Sequence, residues 1–143
     1  MSPADVIRQM LVDLELASDD VSADWRAYTG FFPNDPNLAL CVYDTAGRKD
    51  GRVMKTGEQI THQGIQIMVR GLDYLPTRNK THAIALALDT QRKTVVAIDS
   101  TGSYIVHNVS RTGDIASLGM EIEGDRRRHL FTINALVTIE PMD

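Results

Sequence analysis

The sequence is poor in several features that mark familiar classes of protein. Its single cysteine, Cys41, allows no internal disulfide bond. Aromatic residues make up only 6% of the chain, too few for a platform that stacks nucleic-acid bases. The longest apolar runs, Leu38–Tyr43 and Ala83–Leu88, have six residues each, against the roughly 20 that cross a bilayer. No secretory signal is recognisable at the start, so we expect folding in a cytoplasm and no membrane partner.

Basic charge is also scarce, and the acidic charge is unevenly placed. The chain carries 15 Lys and Arg against 19 Asp and Glu, a net charge of -4, which argues against a protein built to neutralise phosphates. Residues 1–24 hold six acids and one base, whereas the other 119 residues hold 14 bases and 13 acids. The acidic segment is interpreted either as a solvated helix face with a polar loop, or as a surface that meets a basic partner.

Length and composition predict one domain over residues 1–143, large enough to be stable without a disulfide or a metal. Ser2 and Pro3 favour a helix start, and apolar residues at helical spacing predict a helix to about Ala17. Its stripe comprises Val6, Ile7, Met10, Leu11, Leu14 and Ala17. Asp73 can cap a second helix, with Pro76 in the first turn. One face of that helix carries Tyr74, Thr77, Thr81, Ile84 and Leu88.

Six segments have the composition or the alternation of β-strands. They are Trp25–Thr29, Leu38–Tyr43, Ile65–Arg70, Thr94–Ile98, Tyr104–Val109 and His129–Ile139. Leu38–Tyr43 is apolar on both faces, which is typical of a strand inside a sheet, and Asp99–Gly102 predicts a hairpin turn. The order of elements predicts an α+β fold, with two helices packed on one face of a mostly antiparallel sheet.

Two stretches of the chain show no clear pattern of secondary structure. Residues 44–64 form a 21-residue connection with four glycines, and residues 110–128 hold three more glycines and end in Arg126–Arg128. Connections longer than about 12 to 15 residues in a small domain are usually functional or disordered. Both stretches are therefore predicted to be irregular loops that contact another molecule.

Motifs for catalysis, phosphate binding and metal binding are absent from the sequence. There is no GxxxxGK[ST], GxGxxG, GxSxG or HExxH, and the four histidines lack metal-ligand spacing. Cys41 lies in the most apolar strand, where burial should raise the pKa of its thiol. Turn or cap roles account for Asp44, Asp73 and Asp99 at predicted strand ends. We predict no enzyme, no cofactor and no catalytic or metal-ligating residue.

Basic residues in the two irregular stretches are the candidates for contact. Arg126–Arg128 directly follows Glu121, Glu123 and Asp125, and such a run of acids and bases more often pairs between subunits or within a loop than it binds phosphates. The predicted subunit or partner interface comprises Arg48, Lys49, Arg52, Lys55, Arg111, Arg126, Arg127 and Arg128.

An extended pattern over most of the chain from residue 25 onward resembles the minor capsid proteins of long-tailed bacteriophages that act as tail terminators. The matching segments are Tyr28–Pro36, Cys41–Gly47, Gly64–Gly71 with Asp73–Tyr74, His107–Gly113 and Arg126–Asn134. The resemblance implies a structural protein of the virion with an α+β protomer. It further implies a six-fold homo-oligomeric ring on the end of the tail tube, which stops tube polymerisation and offers a surface to the head connector.

Several expectations follow from this resemblance. The partners would be other copies of the chain, the tail tube protein and the connector or neck proteins, with DNA only passing through the ring. The protein would lie at the tail end or neck of the virion, and in the host cytoplasm during assembly. Reversing Arg126–Arg128 to Glu should leave the protomer folded and block assembly.

Three other functions stay open on the sequence alone. The first is a neck or head-completion protein beside the connector. The second is a small ligand-binding or catalytic domain that uses Asp44, His62 and the 44–64 stretch. The third is a protein that contacts DNA in the portal channel, whose binding would weaken steeply with salt.

Overall fold

The computed structural model describes residues 2–20, 23–52, 59–98, 102–123 and 125–142, which form one mixed sheet with two helices. In chain order the elements are α1 (Pro3–Asp13), β1 (Arg26–Thr29), β2 (Ala39–Arg52), β3 (Gln59–Gly71), α2 (Tyr74–Asp89), β4 (Arg92–Ile98), β5 (Gly102–Arg111), β6 (Ala116–Glu123) and β7 (Arg126–Met142). No helix in these ranges is both long and apolar enough to cross a membrane.

The strand order is β1-β2-β3-β7-β5-β4, and β6 joins the sheet by pairing with β7. β1 runs parallel to β2, and the other pairings are antiparallel. β3 lies along one edge of β7, while β6 and then β5 follow each other along its opposite edge. The α+β prediction is therefore correct in outline, but the sheet is mixed and strands dominate over helices.

α1 begins where the sequence predicts and ends four residues earlier. The Ser2 hydroxyl oxygen accepts a hydrogen bond from the Asp5 amide at 3.3 Å, as an N-cap does. At the other end, Glu15 has a φ of 60°, and its amide bonds to the carbonyl of Val12. The Leu16 amide bonds to the carbonyl of Leu11, which completes a Schellman motif. The predicted end at Ala17 is wrong because this left-handed turn stops the helix at Asp13.

Both helices pack on the same face of the sheet, where the hydrophobic core lies. The sequence alternation of β3 predicts that Ile65, Ile67 and Val69 point inward, and these residues are buried, as are the alternating residues Phe131, Ile133, Ala135 and Val137 of β7. Register places Ile67 opposite Ile133, so these strands share one apolar face. The helices cover it with Val6, Ile7, Met10, Leu11, Ile84, Ala85 and Leu88. The inward orientation that alternation predicts for β3, and the alternation of β7, are confirmed.

The 44–64 stretch was predicted to be an irregular connection, and that prediction is wrong for its described part. β2 continues to Arg52 and β3 begins at Gln59, so the two strands form a long arm; residues 53–58 lie outside the described ranges. Beyond the core the arm needs no apolar alternation, because residues 59–62 pair with β2 alone. The close approach of the two strands explains why residue 64 is a glycine, since a Cβ on Gly64 would lie 2.5 Å from the Ala46 carbonyl oxygen.

The 110–128 stretch is likewise not an irregular loop. It contains β6, which forms a hairpin with the first residues of β7, and residue 124 lies outside the described ranges. A register shift between Ser117 and Gly119, where Gly119 has a φ of 91°, interrupts the strand. The bulge lets Gly119 adopt a left-handed conformation within the strand. The hairpin of β4 and β5 is confirmed, while most of its predicted turn falls on residues 99–101, outside the described ranges.

Candidate interaction surfaces

The face of the sheet opposite the helices holds a loop, residues 31–37, through an arginine from β3. The Arg70 guanidinium donates hydrogen bonds of 2.6 Å to the carbonyl oxygens of Pro33 and Pro36. The same guanidinium carbon lies 4.1 Å from the centre of the Phe32 ring, within the range of a cation–π contact. Arg70 is itself buried, so it fixes the loop from beneath.

Two arginines of β7 complete this anchorage. Arg128 has no exposed surface, and it donates to the carbonyl and side-chain oxygens of Asn34 and to the Glu121 carboxylate. Arg126 pairs with Asp35. We name Arg70, Arg126 and Arg128 the arginine clamp. The pairing of Glu121 with Arg128 joins the acidic and basic runs within the protomer, across the β6–β7 hairpin and not within a loop.

The arginine clamp brings three positive charges close together, and this affects the pKa of Arg70. Burial lowers the pKa of Arg70, and the positive charge of Arg128 lowers it further, while Glu121 acts in the opposite direction. Three cations thus share a small region with two carboxylates, and carbonyl oxygens of the loop accept further hydrogen bonds from Arg70 and Arg128. The clamp holds a loop whose first residue, Phe31, is 72% exposed.

Arg127 behaves differently from its two neighbours. Side chains alternate along a strand, so Arg127 points to the helix face, opposite Ile122 of β6, and its side chain is exposed. Beside it lies what we name the β6 patch, Leu118, Met120 and Ile122, whose exposed fractions are 51%, 49% and 67%. The sequence prediction of contact residues missed this patch. The spacing of two between its members is the signal that would have found it.

The acidic N-terminal charge is concentrated after α1. Residues 13–20, which we name the acidic turn, run along the outer edge of β1: the Ala27 amide donates to the Ser18 carbonyl at 2.8 Å. Exposed acids in and beside this turn are Asp13, Glu15, Asp19, Asp20 and Asp24. Much of the acidic charge therefore lies on one side of the protomer, beyond β1.

The remaining predicted contact residues lie elsewhere. Arg48, Lys49 and Arg52 belong to β2, where their register partners in β3 are His62, Thr61 and Gln59; Lys55 falls outside the described ranges. Arg111 donates two hydrogen bonds, of 2.9 and 2.8 Å, to the Asp89 carboxylate. That pairing lowers the pKa of Asp89 and occupies one side of the Arg111 guanidinium. The interface roles of these residues stay predictions.

The cysteine, aspartate and histidine residues that were weighed as catalytic or ligand-binding candidates make contacts within the fold. Cys41 is buried and burial raises the pKa of its thiol, as predicted. The Asp44 carboxylate accepts a 2.9 Å hydrogen bond from the Ala4 amide in the first turn of α1. His62 Nδ1 lies 3.0 Å from the Thr138 hydroxyl, and His107 Nε2 lies 2.8 Å from a Glu140 oxygen. In the ranges that the structure describes, no three metal-ligating side chains come together.

Residues 10–140 match a protein-family model described as bacteriophage tail terminator protein. The match covers both faces of the sheet, the arginine clamp, the β6 patch and the acidic turn. No curated protein matches the chain.

Proposed function

We propose, because the chain belongs to the bacteriophage tail terminator family, that it forms a ring on the end of the phage tail tube, stops tube polymerisation and provides the surface that joins the tail to the head connector. The observation that carries the proposal is the family match over residues 10–140. It identifies a structural protein of the phage tail. The ring, which we propose to be a six-fold homo-oligomer, has a role without catalysis or a cofactor.

The shape of the protomer supports a ring. A closed ring uses heterologous contacts, in which two different surfaces of each copy meet. The acidic turn lies beyond β1, and the β6 patch lies beyond β7, with β2 and β3 between them. The protomer thus offers two chemically different lateral surfaces.

The two ends of the strands supply surfaces for two further partners. β2 runs from the 31–37 loop at one end to the tip of the β2–β3 arm at the other. We propose that the tail tube protein and the connector or neck proteins bind at these opposite ends. Arg48, Lys49 and Arg52 of the arm, together with Lys55 outside the described ranges, would take part in one of the contacts. DNA only passes through the ring during packaging and ejection. The protein assembles in the host cytoplasm and stays in the virion.

Mixing experiments with purified components test this proposal. The full chain, carrying a gold-binding tag, is added to tail tubes and separately to heads that bear the connector, and both are viewed by electron microscopy. We expect label at the end of the tubes, and tubes that no longer elongate when tube protein is added. Label on the connector of tail-free heads, with bare tubes, would instead identify a neck protein. Label on neither structure contradicts a role at the head–tail junction.

A further inference from the structure

One edge of β6 has no strand beside it in the ranges that the structure describes, because β6 pairs with β7 alone. Soluble proteins usually protect such an edge with lysine, proline or an inward-pointing charge. Here the side chains at Leu118, Met120 and Ile122 are apolar and exposed, and the nearby Glu121 carboxylate is paired with Arg128. The edge and its apolar side chains therefore have the character of a surface that another chain covers.

The β6 patch continues onto the helix face of the sheet. Met120 lies opposite His129 in register, and the His129 ring packs edge-to-face on Tyr74 with 5.5 Å between ring centres. Tyr74, the first residue of α2, is also half-exposed. Arg127, opposite Ile122, adds one exposed positive charge to this surface. The surface therefore combines an apolar centre with a charged residue at its edge, as protein interfaces commonly do.

The acidic turn lies at the same level of the sheet as the β6 patch. A single row of register partners crosses the sheet from Ser18 through Arg26, Ala39, Arg70 and Leu130 to Gly119. The row spans five strand spacings of roughly 4.8 Å each, so its two ends are on different sides of the protomer. A copy placed head-to-tail through these ends would sit at the same level along the strands, which is what closure into a ring needs.

We propose that the β6 patch of one protomer docks on the acidic turn of a second copy of this chain, an inference that rests on the proposed ring. Charge supports this pairing. Arg127 meets the exposed acids of the turn, and Leu14, which is also exposed beside them, offers apolar area to Ile122. Two β6 patches facing each other would oppose Arg127 to Arg127, and two acidic turns would repel more strongly, so like charge disfavours symmetric dimers.

Cross-linking of assembled protein tests the contact directly. The double variant Asp19→Cys with Ile122→Cys is bound to tail tubes and treated with a short bis-maleimide. The native Cys41 is buried and does not compete. We expect a ladder of covalent oligomers up to the closed ring, whereas either single variant gives no ladder. The matched control joins Asp19→Cys to Val95→Cys, an exposed apolar residue on the edge strand β4, and should give no ladder.

Charge reversal gives a second, independent measurement. Arg127→Glu alone, and Glu15→Lys with Asp19→Lys together, should each lose capping of tail tubes while circular dichroism shows folded protein. The triple variant restores opposite charges across the contact and should recover capping. Arg92→Glu, an exposed arginine on β4, is the control and should cap normally.

The outcomes separate this contact from the proposed function. If wild-type protein caps tubes, and Ile122→Asp and Arg127→Glu cap them equally well without a cross-linked ladder, the contact is wrong and the function stands. Cross-links from Ile122→Cys to the tube protein, rather than to a second copy, would also overturn the contact and assign the β6 patch to the tube. Wild-type protein that leaves tubes uncapped overturns the proposed function and the contact with it.

Discussion

The two faces of the sheet are covered by different means. Two helices bury one face through apolar side chains such as Ile67, Ile133 and Leu88. On the other face, near one end of the strands, the 31–37 loop is held by the guanidinium groups of the arginine clamp. Apolar burial is non-directional and supplies most of the folding free energy, whereas hydrogen bonds to fixed carbonyl oxygens specify position. The helix-covered face therefore stabilises the fold, whereas the opposite face orients the 31–37 loop.

The largest expected loss of stability comes from a substitution on the face of the sheet that the helices cover. Ile133 is 1% exposed, so Ile133→Ala should lower the free energy of unfolding by about 2 to 5 kcal/mol through lost burial and the cavity left behind. Urea titration followed by circular dichroism measures the change. As control, Val95→Ala on the exposed edge strand should stay within about 0.5 kcal/mol of wild type. A near-zero loss for Ile133→Ala would mean that the residue does not face the core.

An intermediate effect is expected from the opposite face. Arg128→Met keeps the apolar stem but leaves the Asn34 and Glu121 oxygens without their donor. The free energy of unfolding should fall by about 1 to 3 kcal/mol, since hydrogen bonds to a charged donor are lost. Proteolysis at the 31–37 loop should also become faster, because the loop loses its anchorage.

The matched control for this prediction is the neighbouring residue in the same arginine run. Arg127→Met removes an exposed guanidinium and should change stability by less than about 0.5 kcal/mol. Equal losses from Arg127→Met and Arg128→Met would contradict the difference between the two positions. The expectation that a triple reversal of Arg126–Arg128 leaves the protomer folded is revised for the same reason, because Arg128 is buried. Arg127 alone is the residue to reverse in assembly tests.

The smallest effect concerns an ion pair at the end of α2. Asp89 has its pKa lowered by Arg111, so the pair stabilises the fold above the unfolded-state pKa of about 3.9. That contribution is lost as the pH falls through the lower folded-state pKa. Because both side chains are partly exposed, Asp89→Asn should cost only about 0.2 to 1 kcal/mol at pH 7.

A pH series of urea titrations checks this ion pair. The difference between wild type and Asp89→Asn should narrow as the pH falls below about 4, because Asp89 becomes protonated first in the unfolded chain and, at lower pH, in the folded protein. Asp114, whose carboxylate lies 3.7 Å from Arg111 and is mostly exposed, provides the control Asp114→Asn, with a smaller difference at pH 7. A difference that stays constant from pH 7 to pH 3 would exclude the ion pair as its cause.

Much of the helix face was predictable because its chemistry is local and periodic. The Ser2–Pro3 start of α1, the inward set of β3 and the alternation of β7 each appear as short patterns whose physical cause lies in a few neighbouring residues. The arm of β2 and β3 gave no such pattern, since strands outside an apolar core need not alternate. β6 does alternate, at Leu118, Met120 and Ile122, but its apolar side chains are exposed and lie in a stretch with three glycines, so the sequence predicts a loop there.

The arginine clamp was not predictable in the same way. Three consecutive arginines have the composition of a solvated surface, and the burial of Arg128 depends on Asn34, 94 residues earlier in the chain. Nothing in the local sequence relates these two residues. Only the fold, which brings the 31–37 loop over β3 and β7, makes one arginine of the run structural and leaves its neighbour exposed.

The length of β7 determines how the protomer responds to a pulling force. Its 17 residues, at ~3.3 Å each, extend about 55 Å from the end of the sheet that holds the 31–37 loop toward the end where the arm projects. It is hydrogen-bonded to β3 on one edge, and to β6 and β5 on the other. A force applied along the strand direction, between the two ends of the sheet, acts on the interstrand hydrogen bonds in shear. Many of these hydrogen bonds then resist the force together instead of breaking one after another. A protomer that joins two large bodies by its opposite ends would therefore resist tension along the direction in which it is strongest.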